Sequence, residues 1–296
     1  EQFYNKQQVD LHLGQRVNSI DTANQLVTTD AGESISYSKL VITTGADPIV
    51  LNLPGEDLEG IGYMRSFDDT KALMPYVEAG KHAVVVGGGY IGLETAAALR
   101  KCEMEVTVLE GLERVLQRVT GPKISAFYAD AHAKRGVNIV TNAQVSGFEG
   151  TDRVQEVYCR DGSRYQADLV VIGVGVRPNI SLANDAGLSV DNGISVNEFC
   201  QTSDKNVYAL GDCSFFPCVQ TGTRVRLESV PNAAEQARVA GAHICGQEKP
   251  YETLPWFWSD QYDLKLQIAG LNTGFDDIVV RGEMSTEKFS AWYYPD

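Results

Sequence analysis

The chain has 296 residues, of which 43% are hydrophobic and 22% charged, an ordinary composition for a globular protein with room for two or three domains. Its net charge of -14 speaks against nucleic acid and anionic membrane as partners, and no apolar run approaches the roughly 18 residues of a membrane span. The six cysteines are scattered, a pattern that suits reduced thiols in a cytoplasm better than a disulfide framework, and the first residues do not read as a signal peptide.

Residues 8–13 alternate like a strand from the start of the chain. Residues 39–43 form an apolar strand that breaks at Thr44-Gly45-Ala46-Asp47-Pro48. A loop rich in Pro and Gly follows, then a short helix over about 66–78. A βαβ domain opens near Lys81 and contains a helix over 123–135, alternating segments at 154–158 and 164–166, and a closing strand at 169–173. Near Cys200 the chain changes character, with a buried strand at 207–210 that ends at Gly211-Asp212. The next clear helix starts at Pro231, a favoured first helical position, and runs to about Cys245. A strand at 289–294 stops at Pro295-Asp296, where a turn would begin. Both ends look cut through structure, so the expectation is a fragment, or a sequence of ordered residues only.

The most informative stretch runs from His82 to Glu94. A β-branched run feeds into Gly87-Gly88-Gly89-Tyr90-Ile91-Gly92, and small residues follow. In such a G-x-G-x-x-G, Gly87 permits the tight strand-to-helix turn, Gly89 lets backbone approach a pyrophosphate, and Gly92 lets the helix pack close to the strand. The pyrophosphate sits on the unpaired N–H groups at the positive end of the helix. A second strand at 106–109 ends in Glu110, where a carboxylate would accept from an adenosine ribose. Strand, helix, second strand and acid in this order predict a dinucleotide site. A carboxylate pairs with a free 2′-OH and repels a 2′-phosphate, so NADH is favoured over NADPH. Arg114, just beyond, could soften that preference; its plainer reading is a solvated surface charge.

Thr43-Thr44-Gly45-Ala46, Gly173-Val174-Gly175-Val176-Arg177-Pro178-Asn179 and Tyr208-Ala209-Leu210-Gly211-Asp212 frame the βαβ unit. Together they resemble the two-dinucleotide flavoproteins of the glutathione-reductase class. Val230-Pro231-Asn232-Ala233 and Pro255-Trp256-Phe257-Trp258-Ser259-Asp260-Gln261 are similar to the ferredoxin, putidaredoxin and rubredoxin reductase branch of the pyridine nucleotide-disulfide oxidoreductases. The resemblance implies an α/β fold in which an NAD Rossmann domain is inserted in an FAD domain, here incomplete, followed by the start of a C-terminal α+β domain. The implied boundaries are 1–74 and 197–250 for FAD, 75–196 for NAD and 251–296 for the reductase or interface domain.

The resemblance also implies site residues. Asp212 matches the flavin ribitol contact, although Gly-Asp after a strand is also an ordinary turn cap. Val230 matches the position whose backbone N–H reaches the flavin pyrimidine edge. Val17 matches an adenine contact and Arg65 another FAD position, while Thr44 and Gly45 match the turn at the adenosine half. Trp258 resembles a residue beside the flavin ring and the partner surface, with Trp256 expected in the core. On the NAD side Tyr90 lies within the fingerprint, Ile91 and Glu94 match positions near the nicotinamide, and Gly175 matches the glycine beside its ribose. Glu94 is a candidate partner for the nicotinamide amide; equally, a Glu in a first helical turn is favoured by the dipole alone.

One departure is that the FAD domain of this class opens with its own G-x-G-x-x-G, and none precedes Val9. Cys213 and Cys218 form a C-x4-C pair close to Asp212, expected to be two free thiols rather than a redox pair. No His, Cys and carboxylate cluster has metal-ligand spacing. The resemblance implies an enzyme that carries electrons from NADH through FAD to a ferredoxin-type iron–sulfur protein, with Arg224, Arg226, Lys265 and Arg281 as candidates for a basic docking patch. Alternatives are a flavin-dependent NADH oxidase or peroxidase, and an NADH-binding sensor-type flavoprotein.

Overall fold

The computed structural model describes residues 2–272 and 274–294, so the turn expected at Pro295-Asp296 lies outside the described residues. The chain forms two compact units. One contains residues 1–46 and 178–255, the other 47–177 and 256–296.

The second unit is built on a parallel sheet of five strands, in the order Ile61–Tyr63, Leu169–Ile172, His82–Val86, Glu105–Leu109 and Val137–Val140. Parallel neighbours need crossovers, and the helices Tyr90–Lys101 and Pro122–Lys134 supply two of them. Both faces of the sheet are covered, so its strands read as continuous apolar runs: all four residues of Leu169–Ile172 are buried, as are four of the five in His82–Val86. An antiparallel meander, Val145–Gly150, Val154–Cys159 and Arg164–Gln166, lies between the last crossover and the return strand. Two hairpins follow in sequence after residue 255. They pair Trp256–Gln261 with Leu264–Ala269 and Asp277–Glu283 with Lys288–Tyr294.

The first unit opens with a short helix, Gln2–Lys6, and three antiparallel strands, Val17–Asp21, Leu26–Thr29 and Ser34–Ser36. Leu40–Ile42 pairs in parallel with Val207–Ala209. A four-stranded sheet orders Val190–Asp191, Gly193–Ser195, Ser214–Cys218 and Thr223–Val225. The helix Val230–Ile244 begins with Ser229 as N-cap, whose side chain accepts from the Asn232 N–H, and with Pro231 in its first turn. Its core gathers Ile42, Ile194, Tyr208, Phe216 and Val239.

Three expectations from the sequence differ from this architecture. Residues 8–13 are not a strand: residues 3–16 are exposed throughout, and alternation with no partner strand and no apolar layer beneath it specifies nothing. Residues 47–74 and 256–296 cluster with the nucleotide-type sheet, because Ile61–Tyr63 is its edge strand and Phe257 packs on its first crossover helix through Tyr90. Residues 178–196 cluster with the first unit, to which Val190–Asp191 and Gly193–Ser195 contribute strands.

Candidate functional site

In the second unit the strand His82–Val86 passes into the helix Tyr90–Lys101 through Gly87, which has φ of 107°. A Cβ on Gly92 would lie 2.0 Å from the Gly87 carbonyl oxygen, so helix and turn touch backbone to backbone. A Cβ on Gly89 would meet nothing within 4 Å. Gly89 is the N-cap and no side chain caps the helix, which leaves its first N–H groups for a ligand in open space. Ile91, in the first turn, is 46% exposed.

Glu110 is placed against this turn. Its Oε2 accepts the Gly88 N–H at 2.6 Å and its Oε1 accepts the Leu112 N–H at 2.8 Å. A carboxylate offers about four acceptor sites, so two remain for ribose hydroxyls. Arg114 is not simply a solvated charge. Its guanidinium donates to the Thr120 and Gln117 carbonyls and to Ser125 Oγ, tying the loop after Glu110 to the next helix. An open backbone cradle with a carboxylate beside it fits a dinucleotide.

Further along the helix, Glu94 accepts a hydrogen bond from Ser259 Oγ at 2.5 Å, and the Tyr90 ring packs on Phe257 with centroids 4.5 Å apart. Burial raises the Tyr90 hydroxyl well above the usual tyrosine range. Gly175 has φ of 115°, and its carbonyl accepts from the Ile49 N–H. Trp256 and Trp258 are 43% and 39% exposed, on the same side of the strand Trp256–Gln261. Trp256 is therefore not a core residue: strand alternation turns both indoles outward and Ser259 and Gln261 inward. Arg65 is exposed at the start of the capped helix Phe67–Leu73, and its N–H donates to Asp69 Oδ2.

In the first unit Thr44 and Gly45 are clamped to Asn179. Thr44 Oγ1 donates to the Asn179 carbonyl at 2.7 Å, Asn179 Nδ2 donates to the Thr44 carbonyl at 3.0 Å, and the Asn179 N–H donates to the Gly45 carbonyl. Two motifs 135 residues apart thus form one turn. Val17 opens its strand and packs partly against the core of this unit. Asp212 is half-buried in a 3-10 turn, Gly211–Cys213, next to Gly211 with φ of 76°. Gln236 Oε1 anchors that turn by accepting from the Gly211 N–H at 2.7 Å, while its buried Nε2 has no partner. Val230, the first residue of its helix, is 70% exposed. A positive-φ glycine turn whose added Cβ would only touch Ala233 Cβ at 3.7 Å, a carboxylate, a helix N-terminus and an orphan amide fit the polar flavin end of FAD. The 296 residues hold no second G-x-G-x-x-G for its pyrophosphate.

Cys213 and Cys218 are buried free thiols; Cys213 Sγ lies 3.3 Å from the Leu210 carbonyl oxygen and Cys218 Sγ 3.2 Å from Gln220 Oε1. Of the four basic candidates, Arg224 donates to the Val196 and Phe215 carbonyls and Arg226 pairs with Glu228, so both are committed locally; Lys265 and Arg281 are exposed. Among the described residues no group of three or more His, Cys, Asp or Glu could hold a metal ion, and no helix is long and apolar enough to cross a membrane. Sequence reasoning missed Gly88 as a donor to Glu110, and also Ser259, Gln261 and His132. The inward phase of the Trp256–Gln261 strand was the available signal for Ser259 and Gln261.

A family profile described as pyridine nucleotide-disulphide oxidoreductase matches residues 2–237, and one described as reductase C-terminal matches residues 256–296. Putidaredoxin reductase CamA of Pseudomonas putida is 44% identical over 296 residues, covering 98% of this chain and 70% of its own. Rhodocoxin reductase of Rhodococcus erythropolis is 39% identical over 294 residues, covering 99% and 69%. The solved covalent putidaredoxin reductase–putidaredoxin complex superposes with a TM-score of 0.96 at 43% identity, over 99% of this chain and 72% of that one.

Proposed function

The chain belongs to the pyridine nucleotide-disulphide oxidoreductase family, with the α/β fold of two-dinucleotide-binding flavoproteins, and we propose that it carries electrons from NADH through FAD to a ferredoxin-type iron–sulfur protein. The observation that carries the nucleotide half is the uncapped helix behind Gly89 with the Glu110 carboxylate beside it. The partner class is supported by the relatives, which are reductases of putidaredoxin and rhodocoxin, and by the solved reductase–putidaredoxin complex.

In this proposal residues 47–177 bind NADH. Gly87, Gly89 and Gly92 shape the pyrophosphate cradle, and Glu110 accepts from the adenosine ribose. Tyr90, Ile91, Glu94 and Gly175 surround the nicotinamide end, Glu94 accepting from its amide. NADH is preferred over NADPH because Glu110 repels a 2′-phosphate and Arg114 is committed to its own loop. Residues 1–46 and 178–255 supply contacts to the flavin end and the adenosine half of FAD. Asp212 accepts from a ribitol hydroxyl, and the Val230 N–H meets the pyrimidine edge. The positive end of the Val230–Ile244 helix favours negative charge there. Val17, Thr44 and Gly45 bound the adenosine half, while the family resemblance alone assigns Arg65 to FAD and Trp258 to the flavin and the partner.

Bound FAD supplies hydride acceptance and release of electrons one at a time. The chain's own residues supply position and electrostatics. The balance is one NADH and two oxidised iron–sulfur proteins giving NAD+, a proton and two reduced iron–sulfur proteins. No dithiol is needed. Six free cysteines accord with a cytoplasmic setting.

Steady-state turnover with putidaredoxin as acceptor tests the proposal. Reduction of putidaredoxin that depends on both NADH and FAD, with little peroxide, is the expected result. Rapid NADH oxidation to peroxide or water without putidaredoxin would instead identify an oxidase, and tight NADH binding without turnover a sensor.

A further inference from the structure

Ser259 and Gln261, on the inward face of the Trp256–Gln261 strand, and His132, on the Pro122–Lys134 helix, are each 0% exposed. Buried polar side chains must be paired, and these three are paired with one another in a line that ends on Glu94. Ser259 Oγ lies 2.5 Å from Glu94 Oε1, Gln261 Nε2 3.1 Å from Ser259 Oγ, His132 Nε2 2.9 Å from Gln261 Oε1, and Tyr262 Oη 3.2 Å from His132 Nδ1.

The Glu94 carboxylate sets the direction of every bond in this line. A carboxylate can only accept, so the single Ser259 hydroxyl hydrogen points to Glu94. Ser259 must then accept from Gln261, which presents its NH2 and turns its carbonyl oxygen to His132. His132 therefore carries its proton on Nε2, and its bare Nδ1 accepts from the Tyr262 hydroxyl. Four donors in series point towards one carboxylate, an arrangement in which each bond polarises the next. The line holds but does not conduct, because Gln261 could pass a proton only by converting its amide to the imidic acid.

We infer that Ser259, Gln261 and His132 are positioning residues for the nicotinamide end of NADH: they fix one oxygen of Glu94 and leave the other to accept from the carboxamide. The inference rests on the proposed role of Glu94. It gives the strand after residue 255 a part in nucleotide recognition without touching the nucleotide.

The test uses the FAD-loaded full chain, with NAD+ and ADP-ribose, which lacks nicotinamide, as probes in calorimetric titration. Ser259→Ala should weaken NAD+ about tenfold, the equivalent of one well-oriented bond, and leave ADP-ribose within about twofold. In a Glu94→Ala background, Ser259→Ala should have no further effect, since both act through the same carboxylate. Equal weakening of both probes, or additive losses in the double variant, would overturn the positioning role. Nitrogen NMR of the unmutated protein reads the line independently: His132 should be the neutral Nε2–H tautomer, and an Nδ1–H tautomer would refute the bond order whatever the variants do. If Glu94→Ala leaves NAD+ affinity unchanged, the nicotinamide assignment itself fails, and an Nε2–H tautomer then marks the line as purely structural.

Discussion

Gly89 and Gly92 stand three residues apart in one helical turn, yet alanine should do opposite things at the two positions. At Gly89 the new Cβ enters open space and the backbone, with φ of -78°, needs no glycine. The folding cost is only that of a poorer N-cap, about 0.5–1 kcal/mol, or a Tm lower by a few degrees. The same methyl group occupies the lane in which a pyrophosphate would approach the helix. Losing two charge-assisted bonds at about 1.5 kcal/mol each weakens NADH by about a hundredfold. At Gly92 the Cβ would lie 2.0 Å from the Gly87 carbonyl oxygen, a backbone atom that cannot step aside without opening the turn. That overpacking costs about 1–3 kcal/mol, more than the roughly 1 kcal/mol that alanine gains in a helix interior. Thermal unfolding and equilibrium NADH titration of both variants separate the two effects. Gly89→Ala with unimpaired NADH binding would refute the placement of the pyrophosphate.

Glu110→Arg should lower the ratio of kcat/KM for NADH over NADPH by at least tenfold, and it should also lower Tm, because the Gly88 and Leu112 N–H groups lose their acceptor. An unchanged ratio would show that Glu110 is not the ribose ligand. Asp212→Ala should reduce FAD retained after dialysis, by roughly tenfold or more in affinity if a charge-assisted bond of about 1.5–3 kcal/mol is lost. Full flavin content would refute the ribitol contact. Burial, with the Arg135 cation nearby, holds His132 below the usual histidine value of 6.5 despite its bond to Gln261. As pH falls below 6.5 the unfolded chain takes up this proton before the folded one, so stability declines there and is fully present above it. Urea midpoints between pH 5 and 8 should show a decline that His132→Gln flattens; the same slope in both would assign it elsewhere.

The parts of the fold legible in the sequence are those set by short-range pattern. The run from His82 to Val86, the three glycines and the strand leading into Glu110 carry the βαβ unit within about 30 residues, where a change of period and a glycine turn are local facts. The Pro231 helix start and the 207–210 strand are of the same kind. What was not legible depends on long-range packing. Residues 8–13 alternate, but nothing in their own sequence says that no strand pairs with them. The outward turn of Trp256 follows from which face of its strand the Tyr90 helix covers. The contacts Glu94–Ser259 and His132–Gln261 join residues 165 and 129 positions apart, so neither spacing nor composition could reveal them. In the sequence Arg114 reads as a surface charge because two of its three acceptors are loop carbonyls, which every sequence has.

Anaerobic titration of the FAD-loaded protein with NADH, followed by oxidised putidaredoxin, tests most directly whether flavin alone links nucleotide to partner. The expected uptake is two electrons per FAD, returned in full to two putidaredoxins, and the same in Cys213→Ser/Cys218→Ser as in the unmutated protein, since both thiols are buried and free. An uptake of four electrons that falls to two in the double variant, or reduced flavin that putidaredoxin does not reoxidise, would contradict it.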